Sequence, residues 1–124
     1  MKKAIIASIF LSFISCENDN LDLPIIAACD VNNPIDELSW LKKQVSEIEN
    51  NEGEIAKYFF IEIANYKNET VFIANNCCPI CNTVVPIFDC EGQSLGLLGS
   101  DILLNELSNT RIIFKGEDFS CEGN

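Results

Sequence analysis

The chain has 124 residues, of which 19 are acidic, eight are basic and none is histidine, so its formal net charge is −11 at pH 7. This length supports one small domain, and so acidic a chain repels nucleic acid and anionic lipid surfaces. The lack of histidine excludes the usual general base and the histidine-dependent nucleophile systems.

The start of the chain has the parts of a bacterial lipoprotein signal. Two lysines form a basic region, residues 4–14 are apolar, and the small residue Ser15 stands directly before Cys16. The apolar run is too short to span a bilayer, which takes about 20 residues. We therefore predict that residues 1–15 are a cleaved signal peptide and that Cys16 carries the lipid.

A plain secretory signal with a coincidental cysteine is the alternative interpretation. Phe13 counts against the lipoprotein, because leucine is commoner at the third position before the lipidated cysteine. The position of Cys16 at the expected cleavage point counts for it. Removal of the signal would leave six basic and 19 acidic residues, a net charge of −13.

The lipidated tether is predicted to cover residues 16–28, which have no hydrophobic period and one proline. A single domain, residues 29–124, follows. Its first element is a helix from about Pro34 to Asn50, because Asn33 can act as N-cap and proline fits the first helical position. Apolar residues recur there at spacings of three and four and form one stripe: Ile35, Leu38, Leu41, Val45 and Ile48.

Strands are predicted after Gly53, where the apolar residues change to an alternating pattern. A long strand at 54–65 and a second at 70–75 form a hairpin around a turn at 66–69. Pro86 places a third strand, 83–89, at an edge or a bulge, because proline donates no ladder hydrogen bond. The remaining predicted elements are a turn at 90–93, an irregular stretch around Gly96 and Gly99, a short helix at 101–107 and a last strand at 110–115.

The order of helix and then strands predicts an α+β fold. In it, one N-terminal helix packs on one face of a four-stranded antiparallel sheet, and disulfides stabilise the domain. The predicted common core joins the helix stripe to one face of the strands: Leu38, Leu41, Val45, Phe59, Ile61, Phe72 and Ile113.

Six cysteines follow Cys16, and an even number in a small exported domain predicts disulfide bonds. If the second and third strands pair around the cysteine-rich turn, Cys90 lies near Thr70, some 20 Å from that turn. A disulfide needs Cα atoms within about 7 Å. Cys90 should therefore bond to Cys29 or Cys121, one bond should close within residues 77–81, and one cysteine of that cluster should reach the remaining partner. The six candidates are Cys29, Cys77, Cys78, Cys81, Cys90 and Cys121.

Two chemical alternatives to structural disulfides exist. Residues 78–81 form a C-x-x-C motif, so a thiol–disulfide oxidoreductase that uses Cys78 and Cys81 is the alternative function. β-branched residues and Pro86 follow the motif where an activating helix would begin, which counts against that function. A zinc site of four thiolates lacks a second C-x-x-C pair, and an oxidising compartment favours disulfides, so we predict neither a metal nor another cofactor. The four thiolates of such a zinc site would come from Cys77, Cys78, Cys81 and Cys90.

Pairs of carboxylates are the other candidates for acid–base chemistry, and we interpret them as solvated or helix-capping groups because they fall on a predicted solvent face or turn. The carboxylate pairs are Asp36 with Glu37, Glu47 with Glu49, and Glu52 with Glu54.

A calcium site is not predicted either, because the turn that begins at Asp89 lacks the alternating oxygen ligands of a calcium loop.

Three segments resemble a group of small uncharacterised lipoproteins from Bacteroidota: residues 29–41, the Thr70-Val71-Phe72 strand with the later Cys77-Cys78, and residues 88–92. The similarity covers most of the mature chain. It implies an envelope compartment and a small domain, and it transfers no activity to any residue. The acidic residues Glu17 and Asp19 also resemble the export signals that send such lipoproteins to the cell surface.

These observations predict an outer-membrane lipoprotein of the cell envelope that acts as a non-enzymatic binding or structural module. The domain would face either the periplasm or the cell surface. Its expected partners are the membrane, through the lipid on Cys16, and an envelope protein or extracellular ligand, with no nucleic acid. A small inhibitor of an extracellular enzyme shares this scaffold, but the sequence has no recognisable reactive loop.

Overall fold

The computed structural model describes residues 23–50, 56–81 and 83–121. The predicted signal peptide, Cys16 and the pair Glu52 and Glu54 lie outside the described residues. Within the described ranges the chain forms helices first and then an antiparallel sheet, which confirms the α+β class. No helix in these ranges is long and apolar enough to cross a membrane.

Two helices occupy the region of the single predicted one. Helix α1 spans Pro34–Glu37 and helix α2 spans Ser39–Glu49, so the prediction of one helix is wrong at Leu38. Leu38 has an extended backbone, with φ −86° and ψ 110°; its N–H donates to the carbonyl of Pro34, and its own carbonyl accepts from Lys42. The break keeps the spacing of the apolar residues, so periodicity gave no sign of it.

The cap of α1 also differs from the expected one. The side chain of Asn33 does not cap the helix as an acceptor. Instead, Asn33 Nδ2 donates to Asp36 Oδ2 at 2.9 Å, and its backbone N–H donates to Glu37 Oε2 at 2.6 Å. The two acidic side chains therefore fix the start of the helix.

Five strands form one antiparallel sheet in the order β4-β3-β2-β1-β5, where four were predicted. The predicted hairpin of β1 and β2 is confirmed, but its turn is shorter than the predicted 66–69: Lys67 and Asn68, both with positive φ, form it, and Tyr66 pairs with Glu69. The strands are β1 Phe59–Tyr66, β2 Glu69–Asn76, β3 Pro86–Phe88, β4 Ser94–Leu97 and β5 Leu107–Lys115.

Strand β4 is the strand that the sequence did not predict, because Gly96 suggested an irregular stretch. Gly96 pairs with Ile87 of β3. Its φ is +137°, and an added Cβ would lie 2.6 Å from Cβ of Asp101, whose Oδ2 accepts the N–H of Leu97 at 2.8 Å. Glycine therefore permits a close approach between this strand and the loop that follows it.

Other boundaries also differ from the predicted ones. The long strand begins at Phe59, after a 3-10 turn at Ala56–Tyr58, and residues 54–55 of the predicted strand lie outside the described residues. The last strand begins at Leu107 rather than at Thr110. The predicted helix at 101–107 is a 3-10 turn at Leu104–Glu106.

Strand β3 spans Pro86–Phe88 rather than 83–89 and lies between β4 and β2, so the predicted edge position is wrong. The register shift between Ile87 and Phe88 in the pairing with β4 agrees with the other predicted position, a bulge. Pro86 is the first residue of the strand, where a sheet tolerates proline.

The sheet buries apolar residues on both faces. On the first face, α2 contributes Leu41 and Val45 to a cluster with Ile61, Ile63, Phe72 and Ile113. Five of the seven residues predicted for the core are buried there, whereas Leu38 and Phe59 are half-buried. On the second face, the loop residue Ile102 covers the strands, and the buried cluster is Ala64, Val71, Ile73, Ile87 and Ile102.

Trp40 joins α2 to the turn between β3 and β4. Its Nε1–H donates to the carbonyl of Cys90 at 2.8 Å, and its ring meets Phe72 edge to face at 5.4 Å. Gly92 lies against the indole, with φ +81°, and an added Cβ would come within 2.6 Å of Trp40 Cγ. The turn therefore needs glycine at this position for both its backbone and its packing.

Candidate functional site

The cysteine cluster, residues 77–81, is the candidate site and begins where β2 ends. The N–H of Cys77 donates to the carbonyl of Tyr58 at 3.1 Å, which continues the strand pairing by one residue. Asn76 Oδ1 then accepts the N–H of Cys78 at 2.7 Å and turns the chain away from the sheet. The strand end and this turn together fix the orientation of the cluster.

All six cysteines after Cys16 form disulfides, which confirms the prediction of disulfide bonding. The pairs are Cys29 with Cys90, Cys77 with Cys121, and Cys78 with Cys81, and their Cα atoms lie 5.7, 5.7 and 5.4 Å apart.

The connectivity follows from the pairing of β2 with β3. Phe72 lies opposite Phe88, so the turn after β3 returns to the start of β2. Cys90 Sγ accordingly lies 4.0 Å from the carbonyl oxygen of Thr70, at the end of the sheet opposite the cluster. Cys90 bonds to Cys29, one of the two partners that strand geometry left open.

The Cys77–Cys121 bond ties the end of the chain to the edge of the cluster. Ser120 N–H donates to the carbonyl of Lys57 at 3.0 Å, and Phe119 packs edge to face on Phe60 at 5.7 Å. Both sulfurs of the disulfide contact the carbonyl oxygen of Tyr58, at 3.5 and 4.0 Å. Because a disulfide sulfur carries no proton, these are van der Waals contacts and the bond acts here as a cross-link.

The Cys78–Cys81 bond closes a small ring at the surface. Both of its cysteines are half-buried, whereas Pro79 is exposed and Ile80 is 94% exposed. Residues 83–85 form neither helix nor strand, and β3 begins at Pro86. The described chain therefore places no helix N-terminus at Cys78, so that means of stabilising a thiolate is missing.

The other candidate groups are separated or exposed. Cys90, one of the four thiolates considered for zinc, lies far from the cluster and is bonded to Cys29. Across residues 23–50, 56–81 and 83–121, no three Cys, Asp or Glu side chains are placed to hold a metal ion. Asp89 stabilises the turn between β3 and β4, because its Oδ1 accepts hydrogen bonds from the N–H groups of Glu91 and Gln93 at 2.9 Å each. The carboxylates of α1 and α2 are exposed: Asp36, Glu37, Glu47 and Glu49.

Sequence reasoning missed the exposure of the apolar residues around the ring. Ile80 is nearly fully exposed, and Val84, which follows the ring, is 69% exposed. One signal was present in the sequence: residues 70–88 contain no charged residue, although 22% of the chain is charged. Ile80 and Val84 are therefore exposed apolar side chains in a segment that carries no charge.

Comparison with known proteins found no matching family model, no similar curated protein and no similar solved structure. The function therefore has to be inferred from the residues of this chain.

Proposed function

We propose that the protein is a lipid-anchored, non-enzymatic module of the cell envelope that binds or stabilises a partner there. The observation that carries this proposal is the pairing of all six cysteines after Cys16 in three disulfides. Structural disulfides are typical of small exported domains. They agree with the predicted lipoprotein signal, residues 1–15, and none of these six cysteines has a free thiol to act as a nucleophile.

The joint between tether and domain suits an anchored protein. Ile26 and Ala28, at the end of the tether, pack against the first core cluster, and Cys29 follows them. The bond from Cys29 to Cys90 then connects this joint to the turn after β3. A pull from the membrane would therefore reach the sheet through a covalent bond.

Loss of the lipid is the expected result of Cys16→Ala. The substituted chain should be exported without lipid, as an uncleaved or soluble product, because lipoprotein processing requires cysteine at that position. Labelling with a radioactive or alkyne-tagged fatty acid measures this directly, and Ser15→Ala serves as a control that keeps a small residue before the cysteine. Label that still enters the Cys16→Ala protein would contradict the anchor.

Binding is tested by photo-cross-linking the lipidated protein in its own envelope. A cross-linking residue placed in turn at exposed positions on several elements should give a discrete adduct with another envelope protein from at least one of them. If no position gives an adduct, the binding module is the wrong proposal.

Thiol–disulfide exchange is the second candidate function, and the exposed C-x-x-C disulfide favours it. We expect the protein to lack this activity, because no helix begins after Cys81 in the described chain to activate Cys78. With dithiothreitol as the electron donor it should not accelerate the reduction of insulin, and it should not oxidise a dithiol substrate faster than glutathione disulfide does. Non-reducing peptide mapping should find no free thiol among the six cysteines. The double variant Cys78→Ser with Cys81→Ser supplies the blank. Insulin reduction by the unaltered protein that disappears in this variant would establish the oxidoreductase instead.

A further inference from the structure

The loop between β2 and β3 presents an apolar surface that has no charge of its own. We define the loop tip as Pro79, Ile80, Thr83 and Val84, all of which are exposed. The whole segment from residue 70 to residue 88 is free of charged residues, in a chain with 19 acidic ones. Charged residues are similarly depleted at the centre of protein interfaces, whereas their rims are polar.

The part of the loop tip that carries Pro79 and Ile80 is constrained by covalent bonds before any partner arrives. The Cys78–Cys81 bond closes the ring that carries Ile80, and the Cys77–Cys121 bond fixes the base of that ring. The hydrogen bond from the N–H of Cys78 to Asn76 Oδ1, at 2.7 Å, orients its first residue. A constrained loop loses little conformational entropy on binding, so more of the contact energy appears as affinity.

We infer that the loop tip is the surface that binds the partner, and that the partner is a protein with an apolar pocket that receives Ile80. This inference rests on the proposed function as a binding module. A convex apolar tip requires a concave site, and Ile80, which is 94% exposed, is the most exposed of the large apolar side chains in the described chain. The net charge of −11 favours a partner of net positive charge, because opposite charges speed the encounter of the two proteins.

A lipid surface is the weaker alternative occupant. A whole myristoyl chain gives only marginal membrane binding, and one isoleucine side chain is much smaller. The net negative charge of the chain also opposes approach to anionic headgroups. The contact of this tip is therefore assigned to protein rather than to lipid.

The test places a photo-cross-linking residue at Val84 of the full lipidated protein in its own envelope, and combines it with Ile80→Ser. The adduct should contain one other protein, and Ile80→Ser should reduce its yield at least tenfold, because a central anchor is lost. The matched control is Ile25→Ser, which changes the same residue type at a position 74% exposed on the tether. It should leave the yield within about twofold.

The second measurement is the dissociation constant between this protein and the purified partner that the cross-linked adduct identifies. Ile80→Ser should weaken binding at least tenfold without changing the melting temperature, because Ile80 lies outside both core clusters. The Cys78→Ser and Cys81→Ser double variant keeps Ile80 but opens the ring, so it should bind several-fold more weakly. Unchanged binding by that double variant would overturn the preformed ring.

The position of the adducts separates this inference from the proposed function. Asn68 at the β1–β2 turn is the second cross-linking position, because it is exposed and lies on a different loop. Adducts from Asn68 with none from Val84 would overturn the loop tip and leave the binding module standing. An adduct from Val84 with lipid, or with a second copy of the chain, would also overturn the inference. No adduct from either position, or from any other exposed position, would contradict both proposals.

Discussion

Replacement of both Cys29 and Cys90 by serine is expected to lower the free energy of unfolding by about 4 kcal/mol. The bond joins residues separated by 61 positions, so its removal restores a large amount of conformational entropy to the unfolded chain. Changing both cysteines, and not one, leaves neither member of this pair as a thiol that could exchange with the other two disulfides.

The position of this bond adds to its effect. Cys29 and Cys90 both pack against the first core cluster, and the carbonyl of Cys90 accepts the hydrogen bond from Trp40. The bond also overlaps in sequence with Cys77–Cys121, so the two together enclose nearly the whole domain. Without Cys29–Cys90, neither remaining disulfide includes a residue before Cys77, so α1, α2 and β1 have no disulfide cross-link of their own to the rest of the domain.

The matched control is the double replacement of Cys78 and Cys81. This pair is separated by only three positions, so the same relation gives a loss of under about 2 kcal/mol. Equilibrium unfolding in urea, with each variant checked for its two remaining disulfides, measures both values. Equal losses for the two variants would show that loop length does not determine how these bonds stabilise the domain.

The fold was predictable where periodicity reports burial. The helix stripe and the alternation after Gly53 identified Leu41, Val45, Ile61, Phe72 and Ile113, which are buried together. The break at Leu38 was not predictable, because it leaves that spacing unchanged. Strand β4 was missed because Gly96 is there for close packing against Asp101, a contact that only the three-dimensional structure reveals.

The disulfide pairing of the candidate site was more predictable from the sequence than the exposure of its apolar side chains. Strand geometry alone separated Cys90 from the cluster, because two residues that lie at opposite ends of a hairpin cannot form a disulfide. The same reasoning gave no account of Ile80, because a single apolar residue in a loop has no period. The absence of charge across residues 70–88 was the available signal, and it becomes informative once the loop is seen to turn outward.

Leu41→Ala is expected to lower the free energy of unfolding by about 2–5 kcal/mol. Leu41 has no exposed surface and lies in the cluster that joins α2 to the sheet. Truncation to alanine loses the transfer free energy of the side chain and leaves a cavity that the surrounding side chains only partly fill. Urea unfolding of the oxidised protein is the appropriate measurement, because reduction would add the effect of the disulfides.

Leu104→Ala is the matched control, since the same truncation is made at a leucine that is 70% exposed. It should change the free energy of unfolding by no more than about 0.5 kcal/mol. A loss near zero at Leu41 as well would mean that the helix stripe faces solvent or a partner rather than the sheet. In that case the apolar stripe of α2 would be a surface available for binding, and the binding surface would have to be sought there instead of at Ile80.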